Sequence, residues 1–283
     1  MRYVFPKRKA LLTIAIILSI SFSPNFLLAL RSSDENKLDR DFLLKFRDDF
    51  KDVLLSPRDW DRGDVLAFTA VAGSGILLFA FDQDIQNWVE ESRTSFSRDA
   101  SPYISKLGNG AYLSGFLAAL YASGELFGNN SLRKTALLGL ESFVTTSAFV
   151  LGLKFIIGRA RPQSGESSHS FHPFSTRANH TSFPSGDAAG AWAVATSIAE
   201  QSKKLSIDIF SYSLATLVAF YRVHDNKHWA SDALIGSALG HFVARKIAAL
   251  NKKPNEQRFA ISFQVSAERQ ALLFSLSFSQ NCH

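Results

Sequence analysis

The chain has 283 residues, with 31 lysines and arginines against 25 acidic residues for a net charge of +6, and 46% of it is hydrophobic, including 25 phenylalanines. That supplies enough apolar material for one or two folded domains and excludes a disordered or collagen-like chain. The positive balance would suit an anionic partner, but no zinc-finger spacing or helix-turn-helix signal directs it at nucleic acid, and the lone Cys282 cannot close an intramolecular disulfide.

Arg2, Lys7, Arg8 and Lys9 precede the apolar run Ala10 to Ile20, and a second apolar patch ends at Leu30. A charged segment followed by a short apolar one reads as an export signal over residues 1–29, either cleaved after Ala29 or kept as an anchor. Residues 30–64 are polar. Within them Phe42, Leu43, Phe46, Phe50 and Leu54 recur at helical spacing, which predicts an amphipathic helix over Asp41–Leu55 closed by Pro57.

Six apolar helical segments follow, at Val65–Phe81, Ala111–Phe127, Thr135–Ile157, Ala188–Ala199, Ile207–Arg222 and Asp232–Leu250. Most fall short of the roughly 20 apolar residues that a membrane span needs, and mean hydropathy is close to zero. Glu125 and Glu141 lie inside two of these segments and would be costly in lipid unless they face the bundle. If residues 31–64 are exported and three helices cross the bilayer, Arg161 returns to the cytoplasm. The weak hydropathy favours a bundle that is soluble or membrane-associated. After residue 250 the period changes. Phe259, Ile261, Phe263 and Val265 alternate with polar residues, as do Leu272, Phe274, Leu276 and Phe278, a β-hairpin pattern over residues 251–283.

Three polar clusters punctuate the helices. The first is Lys154-Phe-Ile-Ile-Gly-Arg159-Ala-Arg161-Pro162. Lys154 and Arg161 are seven residues apart, one helix face over two turns, and Pro162 stops the helix with Arg161 at its exit. Three cations in eight residues call for an anion, although a solvated helix end would also hold them through the helix dipole. The second is Ser182-Phe-Pro-Ser185-Gly186-Asp187, which opens an apolar helix. Ser at an N-cap followed by Gly lets backbone N–H groups approach an oxyanion, and an ordinary cap would look the same. The third runs from Arg222 through His224, Asp225 and Lys227 to His228 and Asp232. His228 and Asp232 are spaced i, i+4, so on a helix the carboxylate would hold one imidazole nitrogen and leave the other free to attack. A surface ion pair has the same spacing.

Taken together, Lys-x6-Arg-Pro, Pro-Ser-Gly-x and Arg-x5-His-x3-Asp resemble the type 2 phosphatidic acid phosphatase superfamily, which also includes nonspecific acid phosphatases and vanadium haloperoxidases. The resemblance covers about residues 65–250 and implies an all-α fold, a six-helix bundle. It implies a metal-independent phosphatase without a cofactor, in which His228 attacks phosphorus and Asp232 orients it. Lys154, Arg161 and Arg222 would bind the phosphate oxygens, with Ser185 and the N–H of Gly186 completing the cradle. The implied partner is a phosphorylated lipid or a small phosphate ester, and the implied location is the periplasmic side of the cell envelope, membrane-associated or integral.

Two residues depart from the family pattern. Asp187 stands where the family has a histidine that protonates the leaving oxygen, so Asp187 is expected to act as the general acid and to favour activity below neutral pH. Tyr221 stands where a serine often precedes the arginine, which puts one phosphate hydrogen bond in doubt. His180 is a second candidate donor, but a plain loop histidine is the favoured reading. The Ser-rich connection at 164–183, with His169, His172 and Arg177, suits either a lid or a solvated loop, and His241 reads as a packing residue. A soluble broad-specificity acid phosphatase and a non-catalytic envelope scaffold remain as alternative functions.

Overall fold

The computed structural model describes residues 36–252 and the backbone of two strands at 259–266 and 271–278; the segment read as a signal or anchor lies outside the described residues. Among the described residues eight α-helices dominate. They are α1 (Arg40–Leu55), α2 (Arg62–Glu91), α3 (Ser95–Gly108), α4 (Gly110–Leu126), α5 (Asn130–Ile157), α6 (Gly186–Ser202), α7 (Leu205–His224) and α8 (Ala230–Leu250). Strands β1 (Phe259–Ser266) and β2 (Ala271–Phe278) pair antiparallel with Phe259 opposite Phe278, and their side chains lie outside the described residues.

The seven expected helices are present, and two corrections apply. The segment expected to end at Phe81 continues ten residues further as α2, and α3 was not anticipated. Its composition is polar and Pro102 lies inside it, which argues against a helix. A reciprocal cap outweighs that: Thr94 Oγ1 accepts the Ser97 N–H at 3.1 Å, and Ser97 Oγ accepts the Thr94 N–H at 3.0 Å. Asp225 then fastens α3 to the end of α7 by accepting the Ser101 and Ser105 hydroxyls at 2.6 and 2.7 Å.

Helix α6 is the centre of the bundle, with α5, α7 and α8 packed around it. Its run of Ala188, Ala189, Ala191, Ala193 and Ala195 is buried, and small side chains let neighbouring backbones come close. Two glycines of α8 mark the closest approaches: a Cβ on Gly240 would stand 2.1 Å from the Ala189 carbonyl oxygen, and one on Gly236 2.4 Å from that of Ser185. At the other end of the bundle, α1 packs Val53 against Leu138, Val243 and Ile247, and Phe50 stacks on Phe149.

Three helices, α2, α5 and α8, are long and apolar enough to cross a membrane. The outer face of α2 exposes Leu66, Ile76, Leu77, Phe81 and Trp88, an apolar stripe of the kind that meets a membrane or a partner. Of the two acids in the apolar segments, Glu141 is buried in the bundle and Glu125 pairs with Arg133 at 3.4 Å.

Candidate active site

The three polar clusters meet at one end of the bundle. Helix α5 delivers Lys154 in its last turn and ends at Gly158, a left-handed C-cap at φ 61°. Glycine is required here for a second reason: a Cβ would lie 1.8 Å from the His172 carbonyl oxygen. The returning loop therefore lies flat on the helix end. Its Thr181 accepts a hydrogen bond from Lys154 Nζ on the carbonyl oxygen and one from Arg161 Nη2 on Oγ1 at 3.1 Å.

The Arg-x5-His spacing has an equally local cause. Helix α7 stops at His224, Asn226 adopts a positive φ of 58°, and the chain folds back so that the Arg222 carbonyl oxygen accepts the N–H groups of Lys227 and His228 at 3.1 and 3.2 Å. Trp229 locks the turn, its indole N–H donating to the Ala160 carbonyl oxygen at 2.8 Å. Arg222 and His228 thus emerge side by side.

His228 is 2% exposed. Its Nδ1 lies 2.6 Å from the Ser182 carbonyl oxygen. A carbonyl can only accept, so Nδ1 carries the proton and Nε2 presents its lone pair. Burial, reinforced by the charges of Lys154, Arg161 and Arg222, holds the imidazole well below the usual histidine range, against a smaller upward pull from the Ser182 hydrogen bond. The ring is therefore biased toward its neutral form, with the Nε2 lone pair available.

Asp187 sits in the first turn of α6 with Oδ2 3.0 Å from Arg222 Nε. Burial raises its carboxyl above the ordinary aspartate value, although Arg222, Lys154 and Arg161 pull the other way. Burial likewise lowers Arg161, with Arg222 adding repulsion; three cations held this close are poised for an anion. Ser185 is fully buried as the N-cap of α6, its Oγ accepting the Ala188 N–H at 3.4 Å, and Gly186 opens the helix beside Lys154 and Val150. Tyr221 is buried against His224 and Phe220, a packing role.

Asp232 occupies a different place from the one its spacing suggests. Helix α8 begins at Ala230, so His228 precedes it and the i, i+4 helical geometry does not apply. The carboxylate instead accepts the Trp229 N–H at 3.0 Å and the Ser182 hydroxyl at 2.5 Å on Oδ2, and faces Arg159 Nη1 at 2.6 Å on Oδ1. It reaches His228 through Ser182.

Arg159 explains the surplus cation of the first cluster. It is 1% exposed and clamped between Asp232 and Asp82, the latter at 2.8 Å, with its guanidinium 4.7 Å from the Phe79 ring centre. Asp82 also accepts the Ser231 N–H at 2.9 Å. Sequence reasoning missed Asp82, yet a charge continuing the apolar pattern of α2 signals a buried partner. His241 contacts Thr196 Oγ1 at 3.1 Å and packs among Trp192 and Tyr212. His180 is not a free loop residue: it is 7% exposed and stacked on His172.

A model of the PAP2 superfamily matches residues 135–255, the segment that holds all three clusters. Among curated proteins, the lipid A 1-phosphatase of Porphyromonas gingivalis is 35% identical over 92 residues, which is 32% of this chain and 18% of that protein's length. Among solved structures, a transmembrane PAP2-type phosphatidylglycerolphosphate phosphatase from Bacillus subtilis superposes with a TM-score of 0.53 at 22% identity, covering 66% of this chain and 98% of that one. Aquifex aeolicus LpxE matches with a TM-score of 0.48 at 21% identity, covering 59% and 94%.

Proposed function

We propose that this member of the PAP2 superfamily is a membrane phosphatase that cleaves a lipid phosphate mono- or diphosphate ester through a phosphohistidine on His228. One observation carries the reading: a buried imidazole with its Nδ1 proton committed to the Ser182 carbonyl oxygen, in the field of Lys154, Arg161 and Arg222. Lys154, Arg161 and Arg222 bind the non-bridging oxygens and neutralise charge on the transferring group, and the N-terminus of α6 at Ser185 and Gly186 adds N–H donors. Nε2 forms a bond to phosphorus as the bond to the leaving oxygen breaks, and Asp187 gives that oxygen its proton. Water then attacks the phosphoenzyme, returning its proton to Asp187 and releasing phosphate with His228 restored. No step in this sequence requires a divalent ion.

The lipid substrate class is supported by the exposed apolar face of α2 and by an open apolar groove of about 810 Å³ along α7, lined by Leu205, Ile209, Leu217 and Phe220 among others. Those surfaces disfavour a soluble acid phosphatase. The related lipid A 1-phosphatase makes a lipid-borne phosphate the first substrate to try. The site lies near the N-terminus of α8, whereas Asp49 of α1 accepts a hydrogen bond from Asn251 just beyond its C-terminus. The 21 residues of α8 put about 30 Å between these ends. A periplasmic site therefore places α1 on the cytoplasmic face.

Phosphate release by the detergent-solubilised chain, in EDTA, from phosphatidic acid and from a water-soluble aryl phosphate tests this. We expect preference for the lipid and a loss of at least about 10³-fold in His228→Ala, with phosphate trapped on wild-type protein at acid-labile, base-stable linkage. Equal turnover in His228→Ala would discard the mechanism, and better turnover of the aryl ester would discard the lipid.

A further inference from the structure

The connection between α5 and α6 holds a second cluster that the phosphatase chemistry leaves unused. Among the described residues, Glu166, His172 and His180 form a group of three metal-ligating side chains whose ligand atoms lie within 4.8 Å of one another. His172 Nε2 lies 2.7 Å from Glu166 Oε2, and His180 Nε2 lies 3.4 Å from Oε1 of the same carboxylate. The two imidazoles stack with centres 3.8 Å apart.

From this convergence we infer that Glu166, His172 and His180 bind a divalent transition-metal ion of the zinc type, which pins the α5–α6 connection over the phosphate site. Two imidazole nitrogens and one carboxylate are the donor set of a three-ligand zinc site with one open position. Nitrogen donors select zinc-like ions over calcium or magnesium. Zinc takes its ligands at about 2.0–2.2 Å, which requires donor atoms about 3.3 Å apart; reaching that from the stacked pair takes a swing of Glu166 and a rotation of the His172 ring, whose side chains are 36% and 42% exposed, so that both Nε2 lone pairs aim at one point. Binding through Nε2 puts each imidazole proton on Nδ1, which for His172 means giving up the Nε2–H that faces Glu166. For His180 that proton has a receiver already in place, Ser175 Oγ at 2.8 Å, the outer hydrogen bond that orients a ligating histidine.

The backbone is prepared as well. His172 donates its N–H to the Gly158 carbonyl oxygen at 2.7 Å, and Phe174 donates to that of Phe155 at 2.7 Å, so one ligand is fixed against the end of α5. His180 immediately precedes Thr181 and Ser182, which hold Lys154, Arg161 and His228. An ion at His180 therefore bears directly on the residues that aim the site. Its influence on turnover rests on the phosphatase reading; the binding itself does not.

The test uses the full chain, purified without a histidine tag and stripped with EDTA, titrated with zinc alone and separately with cobalt. The expected result is one equivalent of saturable zinc, a tetrahedral cobalt absorption spectrum, and slower tryptic cleavage after the exposed Arg177, which lies between the two histidines. Glu166→Gln, His172→Ala and His180→Ala should each weaken zinc by at least about a hundredfold and abolish the protection. Should His180→Ala fail to fold, the more exposed Glu166→Gln and His172→Ala carry the comparison, with circular dichroism reporting the fold. Absence of saturable zinc in the wild type, or equal affinity in wild type and variants, overturns the site whether or not the protein proves to be a phosphatase.

Discussion

The carbonyl oxygen of Ser182 sits 2.6 Å from His228 Nδ1, while the hydroxyl of the same serine donates to Asp232 Oδ2 at 2.5 Å. One residue therefore links the carboxylate to the imidazole, and the aim of Nε2 depends on how firmly Ser182 is held. Its N–H is also committed, donating to the Arg159 carbonyl oxygen at 3.0 Å.

Replacing Ser182 with Ala keeps the carbonyl that accepts from His228 but removes the hydroxyl anchor and strips one partner from a buried carboxylate. Lys154, Arg161 and Arg222 are untouched, so substrate binding should persist. Steady-state kinetics should show kcat falling about 10–100-fold, the scale of lost outer hydrogen bonds, with KM nearly constant. A variant whose KM rises while kcat holds would mean that Ser182 serves phosphate binding instead.

Under the proposed mechanism the pH profile follows from two titrating groups, His228 and Asp187. His228 must be deprotonated to attack, and its value is held well below the usual histidine range, so the acid limb lies well under neutrality. Asp187 must be protonated to donate, and its value is raised above the ordinary aspartate value, so activity declines as pH rises through it. The maximum is therefore expected on the acid side of neutrality. Asp187→Asn should lose about 10²-fold or more in kcat and lose the alkaline limb, because the amide does not titrate. An unchanged profile in that variant would remove Asp187 from the proton transfer.

Short-range pattern carried much of this into view. Lys154 with Arg161, Ser185 with Gly186, and Arg222 with His228 are each positioned by one helix end or one turn, and such geometry is legible from spacing. Helices α2 and α4 to α8 likewise announced themselves through apolar runs. What the sequence could not display were partners brought by packing. Asp82 meets Arg159 across 77 residues and Ser231 across 149. The role of Asp232 changed because α8 starts two residues after His228, a boundary finer than periodicity resolves. Helix α3 stayed hidden because its polar face is satisfied by Asp225 of a distant turn.

The Gly236 contact predicts a steric consequence. A methyl group there would meet the Ser185 carbonyl oxygen at 2.4 Å, which is backbone and cannot rotate away. Gly236→Ala must push α8 from the start of α6, at about 1–3 kcal/mol, and displace Ser185 and Gly186 from the phosphate cradle. Denaturant unfolding should register the first effect and a raised KM the second. Gly240→Ala is more crowded still, 2.1 Å from the Ala189 carbonyl oxygen, but one turn deeper, so its cost should fall on stability with KM spared. The pair of variants thereby separates general loosening of the bundle from damage to the cradle.

Asp82 supplies the last prediction. Its side chain and that of Arg159 are 0% and 1% exposed, so deleting the carboxylate leaves a buried guanidinium with Asp232 as its remaining counter-charge. Breaking such a pair from one side costs about 3–5 kcal/mol, far more than an exposed pair would. Asp82→Ala should unfold at correspondingly lower denaturant than wild type, and Asp82→Asn should recover part of the loss, since the amide oxygen can still accept from Ser231 and Arg159 while lacking the charge. Arg159 would then lean harder on Asp232 and draw it from Ser182, so the folded fraction of either variant should also lose kcat. Stability equal to wild type in Asp82→Ala would mean that Asp232 and the Ser168 carbonyl oxygen, which accepts from Arg159 at 2.9 and 2.7 Å, suffice to hold the guanidinium by themselves.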